Sequence, residues 1–313
     1  MNPAIHNVAQ RVRGAEVTTF RLGGNLAYFA DTRTVSDARE ALREAHARGL
    51  PVLVLGGGSN LLISDEGFAG EVVRFLSPAD AIRRFGDVVE ASAGVGLDAL
   101  ALFCVAEGLD GLLFASGIPG TVGGAIVGNA GAFGESVADR LVSVRLFHPA
   151  RGAREIPRGA LRFSYRRSSL ADAGELVESA RFLLRPADPS RLREERERLL
   201  QWRRERHPDW NLIPCAGSVF RNVEPTCAAE RRRAAGWFLE QAGAKALRVG
   251  GAAVYEKHAN IIVKRTSQCT AQDVYALSRL MADAVRRAFD LDLHREVRLI
   301  GRFDPPPDQP MAP

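Results

Sequence analysis

Three short stretches carry side chains able to do chemistry on a small molecule. Arg166 lies in Phe163-Ser164-Tyr165-Arg166-Arg167-Ser168, Ser218 in Gly217-Ser218-Val219-Phe220-Arg221-Asn222, and Glu296 in Arg295-Glu296-Val297-Arg298-Leu299-Ile300-Gly301. A guanidinium is a planar, permanent cation with forked donors, suited to a carboxylate or to an oxygen that gains negative charge. On residue type alone, an arginine between a tyrosine and a second arginine reads as a surface cation. A serine after glycine reads as a turn, and no Asp–His relay accompanies Ser218, which argues against a hydrolase nucleophile. Glu296 has His294 and Arg298 two residues to either side, so a plain ion pair also accounts for it.

Two glycine-rich stretches are more specific. The first is Leu53-Val54-Leu55-Gly56-Gly57-Gly58-Ser59-Asn60-Leu61-Leu62-Ile63, with apolar runs entering and leaving. Glycine allows positive φ and carries no Cβ, so such a loop can turn its N–H groups toward a phosphate. A tight turn between strands is the alternative. Because Leu61-Leu62-Ile63 continues as a strand, the loop departs from the Rossmann pattern, in which the glycines open a helix. The second stretch runs Ala115-Ser116-Gly117-Ile118-Pro119-Gly120-Thr121-Val122-Gly123-Gly124-Ala125-Ile126-Val127-Gly128-Asn129-Ala130-Gly131-Ala132-Phe133-Gly134 and contains no charged residue. A linker is more polar and a core segment holds fewer glycines. Such backbone suits a wall laid against a large planar, partly apolar ligand.

The elements that position these residues are read from periodicity and capping signals. Residues 17–30 read as a bend at Gly23-Gly24 followed by a strand. A helix capped by Ser36 runs to His46 and closes at Gly49 and Pro51. Strands at 52–55, 61–63 and 71–76 complete a compact α+β lobe. Val88 to Ala93 reads as a further strand, and Leu97 to Leu109, apolar almost all round, as a buried helix. Strands at 141–147 and 175–185 bracket an arginine-rich stretch. From Asp188-Pro189-Ser190 a charged helix with a thin apolar stripe runs to Arg206, and His207-Pro208 ends it. A helix at 228–242 then ends at Gly243, and strands cover 247–254 and 260–263. Thr270 and Asp273 form a capping box that opens the clearest helix of the chain. Alternation at 291–301 places Leu291, Leu293, Val297 and Leu299 on one face and His294, Glu296 and Arg298 on the other. The segment from Asp304 onward reads as a disordered tail.

With 313 residues and 46% apolar content, the chain has material for two or three domains with real cores. Its net charge of +5 favours anionic ligands. Lysine occurs only at Lys245, Lys257 and Lys264, so arginine supplies nearly all the basicity, and no nucleic-acid motif accompanies it. Cys104, Cys215, Cys227 and Cys269 are scattered without a C-x-x-C pair, which implies reduced thiols and neither a disulfide frame nor a metal site. There is no apolar leader and no run of eighteen apolar residues, so a cytoplasmic protein without a membrane partner is expected.

The two glycine stretches, together with Tyr165-Arg166-x-Ser168, Gly217-Ser218-x-Phe220 and Glu296-Val297-Arg298, resemble the UDP-N-acetylenolpyruvoylglucosamine reductases (the MurB family). These belong to a wider superfamily of FAD enzymes that includes vanillyl-alcohol oxidase, and the resemblance covers nearly the whole chain. It implies an α+β architecture: an FAD-binding fold of the vanillyl-alcohol oxidase/PCMH type in two α+β subdomains (1–70, with 297–303 returning to it, and 71–206), plus a smaller α+β substrate-binding domain (207–296). FAD would be held by Gly56, Gly57, Gly58, Ser59 and Asn60 of the first stretch. The second would contribute Ser116, Gly117, Ile118, Pro119, Gly120, Thr121, Gly123, Gly124, Asn129, Ala130 and Gly131. No His or Cys lies in the first stretch, so the flavin is expected to be non-covalent.

The implied reaction is NADPH-driven reduction of the enolpyruvyl ether of UDP-N-acetylglucosamine to UDP-N-acetylmuramate, a step of peptidoglycan precursor synthesis. In the family the residue matching Arg166 contacts the reacting enolpyruvate, the one matching Glu296 lies across the substrate, and the one matching Ser218 protonates substrate carbon. A serine hydroxyl is a poor acid in water, so neighbouring cations and hydrogen bonds must help it. Tyr165, Asn222, Lys245, Gly250 and Gly251 fall where the family binds the UDP-sugar. Two residues depart from the usual pattern: Arg221 stands where lysine is common, and Pro225 comes later than the proline that normally follows Asn222. The stretches 190–210 and 222–243 contain no tyrosine, which matches the shorter subtype lacking a tyrosine loop. Another FAD-linked oxidase or dehydrogenase of this fold would lack the three motifs, and a non-catalytic nucleotide- or nucleic-acid-binding protein would not need two glycine stretches. A monomer is expected.

Overall fold

Residues 12–171, 174–225 and 232–307 are described by a computed structural model. A single helical turn, α1 (Gly14–Val17), precedes strand β1 (Leu26–Thr32) and helix α2 (Val35–Ala47). The cap of α2 is Thr34, whose hydroxyl oxygen accepts the Asp37 N–H at 3.2 Å. Ser36, the expected cap, already lies inside the first turn, whereas a cap must be the last non-helical residue. Strands β2 (Val52–Leu55), β3 (Leu61–Ile63) and β4 (Phe68–Phe75) follow. β4 lies between β1 and β2 and is parallel to both. Parallel neighbours need a crossover, and α2 provides it, burying Ala38, Ala41, Leu42 and Ala45. β3 pairs in parallel with a strand from the far end of the chain, Arg298–Ile300, with Leu61 opposite Arg298 and Ile63 opposite Ile300.

A five-stranded antiparallel sheet follows, with strands in the order 152–157, 141–148, 176–183, 88–92 and 82–85. Helices α3 (Leu97–Ala106) and α4 (Val122–Val127) share its core, in which Leu100, Phe114, Phe147 and Phe182 are fully buried. The helix expected to run to residue 109 ends at Ala106, and it is not buried all round, because Leu102 is 53% exposed. Helix α5 (Pro189–Arg206) starts at the Asp188 cap and buries Leu192 and Arg196.

The last sheet is antiparallel, in the order 215–218, 258–264, 252–255 and 248–249. Helices α6 (Ala235–Gln241) and α7 (Ala271–Phe289) pack with it. Residues 228–231 of the expected helix lie outside the described residues, as do Cys227 and 308–313. The capping box of α7 is formed: Thr270 accepts the Asp273 N–H and Asp273 accepts the Thr270 N–H, both at 3.0 Å. Val274, Leu277, Met281 and Val285 bury its apolar face, each worth about 1.5–3 kcal/mol. Phe20, Leu22 and Leu62 from the N-terminal lobe complete the same core. The Asp65 carboxylate, just beyond β3, accepts the Ala271 and Gln272 N–H groups, both at 2.9 Å, so lobe and helix are clamped. The alternation at 291–301 becomes strand only at 298–300. Among the described residues no helix is long and apolar enough to cross a membrane, and no group of His, Cys, Asp and Glu could hold a metal ion.

Candidate active site

The loop after β2 and the loop before α4 face each other. A Cβ on Gly57 would meet the Gly120 Cα at 3.1 Å, and one on Gly56 would lie 2.3 Å from the Thr121 hydroxyl oxygen. Ser59 Oγ donates to the Pro119 carbonyl at 3.2 Å. The two glycine stretches therefore form one floor. Of the three loop glycines, the positive φ belongs to Gly58, at +61°, where a Cβ would fall 2.2 Å from the Val17 carbonyl oxygen. Gly57 is favoured by the close approach of Gly120, which any side chain would push back by a few tenths of an ångström. Asp98 of α3 steadies the second loop from behind, accepting the Gly117 N–H and the Arg196 guanidinium, both at 2.7 Å. A cavity of about 200 Å³ opens beside the first loop, lined in part by Thr18, Thr19, Gly56, Gly57, Arg74 and Trp210.

Arg166 sits at the tip of a hairpin between 163–164 and 167–168, at a φ of +56°. This left-handed conformation costs a non-glycine residue roughly 1–2 kcal/mol. The contacts of the side chain offset that cost. Its Nε pairs with Glu296 Oε1 at 2.9 Å, while its Nη2 and Nη1 donate to the carbonyls of Gly131 and Asn129 at 2.7 and 3.5 Å. Asn129 in turn donates to the Ser164 carbonyl, and Ser168 to the Val127 carbonyl, so the hairpin is bound to the second glycine stretch. Glu296 pairs with Arg166, not with its neighbours His294 or Arg298.

The Glu296 main chain bridges the remaining parts. Its N–H donates to the Val219 carbonyl at 2.8 Å, and its carbonyl accepts from the Asn60 amide at 3.3 Å. Ser218 ends the strand 215–218 opposite Ile261, and its hydroxyl makes no hydrogen bond to a described residue. The loop behind it is clamped by buried Asn260, which accepts the Phe220 N–H at 3.0 Å and donates to the Phe220 carbonyl at 2.8 Å. The Tyr165 ring lies between the guanidiniums of Arg166 and Arg232, at 5.0 and 3.7 Å, and its hydroxyl oxygen accepts the Asn222 N–H at 3.4 Å. Arg166 and Glu296 thus lie against the glycine floor, with Tyr165 beside Arg166 and with Ser218 and Asn222 on the chain that Val219 ties to Glu296, Asn222 also accepting the Ala235 N–H at 3.2 Å. Burial lifts the Glu296 carboxyl above its ordinary range, against the pull of Arg166 and Arg221. Burial, with the repulsion of Arg167 and Arg166, lowers the Arg221 pKa.

Lys245, Gly250 and Gly251 are engaged elsewhere. Lys245 Nζ pairs with Glu240 at 2.5 Å. The Gly251 N–H donates to the Asp273 carboxylate at 3.1 Å, and a Cβ on Gly250 would strike that carboxylate. Both glycines are explained by packing on the N-terminus of α7, and the Gly251 N–H is not available to a diphosphate.

Residues 207–300 match the family model for the C-terminal domain of UDP-N-acetylenolpyruvoylglucosamine reductase, and residues 26–154 match an FAD binding domain. The UDP-N-acetylenolpyruvoylglucosamine reductase of Synechococcus sp. (strain JA-3-3Ab) is 38% identical over 293 residues, covering 93% of this chain and 91% of its own. This chain belongs to the UDP-N-acetylenolpyruvoylglucosamine reductase family. The reductase of Parasynechococcus marenigrum is 42% identical over 291 residues, covering 92% of this chain and 94% of its own. The crystal structure of the reductase from Thermus caldophilus superposes with a TM-score of 0.76 at 28% identity, covering 93% of this chain and 98% of its own. The α+β fold with an FAD-binding domain is therefore that of the reductase family. Ser218 and Glu296 fall inside the matched C-terminal domain, whereas Arg166 lies between the two matched segments. Reading the sequence missed Asp98 and Asn260 as supports of the site. Each is a polar residue in an apolar run, Leu97-Asp98-Ala99-Leu100 and Ala259-Asn260-Ile261-Ile262, and that exception is the available signal.

Proposed function

We propose that this chain reduces the enolpyruvyl ether of UDP-N-acetylglucosamine with NADPH as hydride donor and non-covalent FAD as cofactor. The Arg166–Glu296 pair carries the reading, because it joins the second glycine stretch, the first glycine stretch and the Ser218 strand at one point. The residues fit FAD on the structure's own terms. A Cβ at Gly56 would strike the Thr121 hydroxyl and one at Gly57 would crowd Gly120, so the floor is kept clear by glycine, with a cavity opening beside it.

When bound, the flavin supplies the redox chemistry, relaying a hydride from NADPH to the enolpyruvyl methylene carbon. The chain's own residues orient the substrate and handle charge and proton. Gly56 to Asn60, Ser116 to Thr121, Gly123, Gly124 and Asn129 to Gly131 would hold the cofactor. Arg166 and Glu296 stabilise the charge that develops on the enol from partly buried positions, where an interaction is stronger than in bulk solution. The Ser218 hydroxyl delivers its proton to the adjacent carbon, free of a competing acceptor. Tyr165 and Asn222 position the sugar nucleotide. Under this reading the parts 1–70 and 71–206 hold flavin and 207–296 holds substrate, in a cytoplasmic monomer that needs neither nucleic acid nor membrane.

The test is spectroscopic. The purified protein should show flavin absorption that NADPH bleaches under anaerobic conditions. The enolpyruvyl sugar nucleotide should then restore it. Reoxidation by oxygen alone, with no response to the sugar nucleotide, would make the chain an oxidase instead.

A further inference from the structure

Among the described residues six arginines carry a side-chain nitrogen that is shut away from solvent and makes no hydrogen bond of its own: Arg140, Arg154, Arg196, Arg203, Arg221 and Arg298. Five of them are attached by other means. Arg140 pairs with Glu135, Arg154 with Glu175 and Arg196 with Asp98, while Arg203 donates to the Phe114 carbonyl, and Arg298 also has a partner. Arg221 alone makes no side-chain hydrogen bond or ion pair to any described residue. A buried donor left unmade costs about 1–3 kcal/mol, and more when it is charged. A folded chain keeps such a group where a ligand completes it.

Its placement says which ligand. The Arg221 N–H donates to the His294 carbonyl at 2.8 Å, and the residues on either side are held by Asn260 and by the Tyr165 hydroxyl. The side chain therefore springs from a fixed backbone between Ser218 and Asn222. It feels the charges of Arg166, Arg167 and Glu296, a set of cations with a single carboxylate among them. Every nitrogen of the Arg166 guanidinium is already engaged, with Glu296, Gly131 and Asn129. An incoming anion meets Arg221 as the unsatisfied cation and Arg166 as part of the wall.

Resting on the function proposed above, we infer that Arg221 receives an anionic oxygen of the sugar-nucleotide substrate. Arg166 then acts from its fixed place beside Glu296, as electrostatic support behind the bound anion. Two substrate groups share this chemistry, the enolpyruvyl carboxylate and a phosphate oxygen of the diphosphate.

Titrating the FAD-loaded protein separates these sources. Binding is followed by the change in flavin absorbance, with UDP-N-acetylglucosamine (diphosphate, no carboxylate) and with its enolpyruvyl ether, for wild type, Arg221→Gln and Arg221→Lys. One lost charge-assisted hydrogen bond predicts roughly 10- to 100-fold weaker binding in Arg221→Gln, with Arg221→Lys in between. A loss confined to the enolpyruvyl ether assigns the carboxylate, and an equal loss for both ligands assigns a phosphate. Affinities within twofold of wild type for both ligands overturn the inference. So does a loss of flavin in both variants, which would make Arg221 a residue of the fold. A wild-type protein that binds the sugar nucleotides but never reoxidises with the enolpyruvyl ether would instead sink the proposed reaction, leaving the binding result to stand by itself.

Discussion

Replacing Ser218 with alanine should separate the two halves of the reaction. The structure indicates what the change removes. The Ser218 hydroxyl has no partner among the described residues, the residue is half-buried at a strand end, and its backbone is held opposite Ile261. Alanine breaks no hydrogen bond and opens no cavity of consequence, so stability should stay within about 0.5 kcal/mol of wild type. The proton donor, in contrast, disappears. General acid catalysis is worth about 10²–10⁴-fold. At 1.36 kcal/mol per tenfold, that is about 2.7–5.5 kcal/mol on the barrier, several times the expected change in stability. Under the proposed role Ser218 serves only the second half-reaction, so bleaching by NADPH should remain near normal in Ser218→Ala. Anaerobic stopped-flow absorbance should then show reoxidation by the enolpyruvyl substrate slowed at least a hundredfold. Ser218→Cys, with a more acidic proton donor, should regain part of the rate. Reoxidation of Ser218→Ala within a few-fold of wild type would refute the assignment and reduce Ser218 to a shaper of its loop.

Further outcomes follow from the same geometry. Gly57→Val should purify without flavin, because its branched Cβ would force Gly120 away, and full FAD occupancy in that variant would dismiss the shared floor. Glu296 keeps its proton to a higher pH than an ordinary carboxyl, so it contributes stability below pH 4.5 that is lost as pH rises through its raised pKa. The stability of Glu296→Gln relative to wild type should therefore climb with pH across that window, and a flat difference in urea unfolding would contradict the raised pKa. Burial beside His258 lowers His207 to about 4. The native ring stays neutral while the unfolded chain gains a proton below 6.5, so acidification toward pH 4 should remove up to about 3 kcal/mol, and His207→Phe should flatten that slope. In a chain of the shorter subtype that the sequence suggests, the substrate diphosphate would stay open to solvent, and the Michaelis constant for the sugar nucleotide should then rise with salt. A constant that ignores ionic strength would argue for a closed site.

What could be read from the sequence was local. The caps at Asp188 and at Thr270 with Asp273 announce α5 and α7, because a short polar side chain beside an apolar period has one obvious use. Glycine density marked both loops, and the three short motifs marked Arg166, Ser218 and Glu296. Contacts between distant segments were not legible. Glu296 reads as a partner of His294 or Arg298 until the Val219 carbonyl takes its N–H and turns the side chain toward Arg166. Gly250 and Gly251 fall where the family binds the UDP-sugar, and only the fold shows that Asp273 uses the N–H of Gly251 and fills the space at Gly250. Ile82–Phe85 escaped notice as a strand because only Ile82 of its four residues is buried, so an edge strand leaves no apolar period. Thr34 and Ser36 are equally good caps by type, and only the backbone chooses between them.

The pairing of Leu61–Ile63 with Arg298–Ile300 sets an order of events in the cell. While the chain is still being translated, β3 lacks its strand partner. Asn60, at the mouth of the first glycine loop, then lacks both the Glu296 carbonyl and the Arg298 N–H that fix it. The loop is complete only when nearly the last of the described residues has left the ribosome. Cofactor capture is then expected after translation, and a chain released short of Arg298 would leave β3 without a strand partner, open to aggregation and to proteolytic quality control.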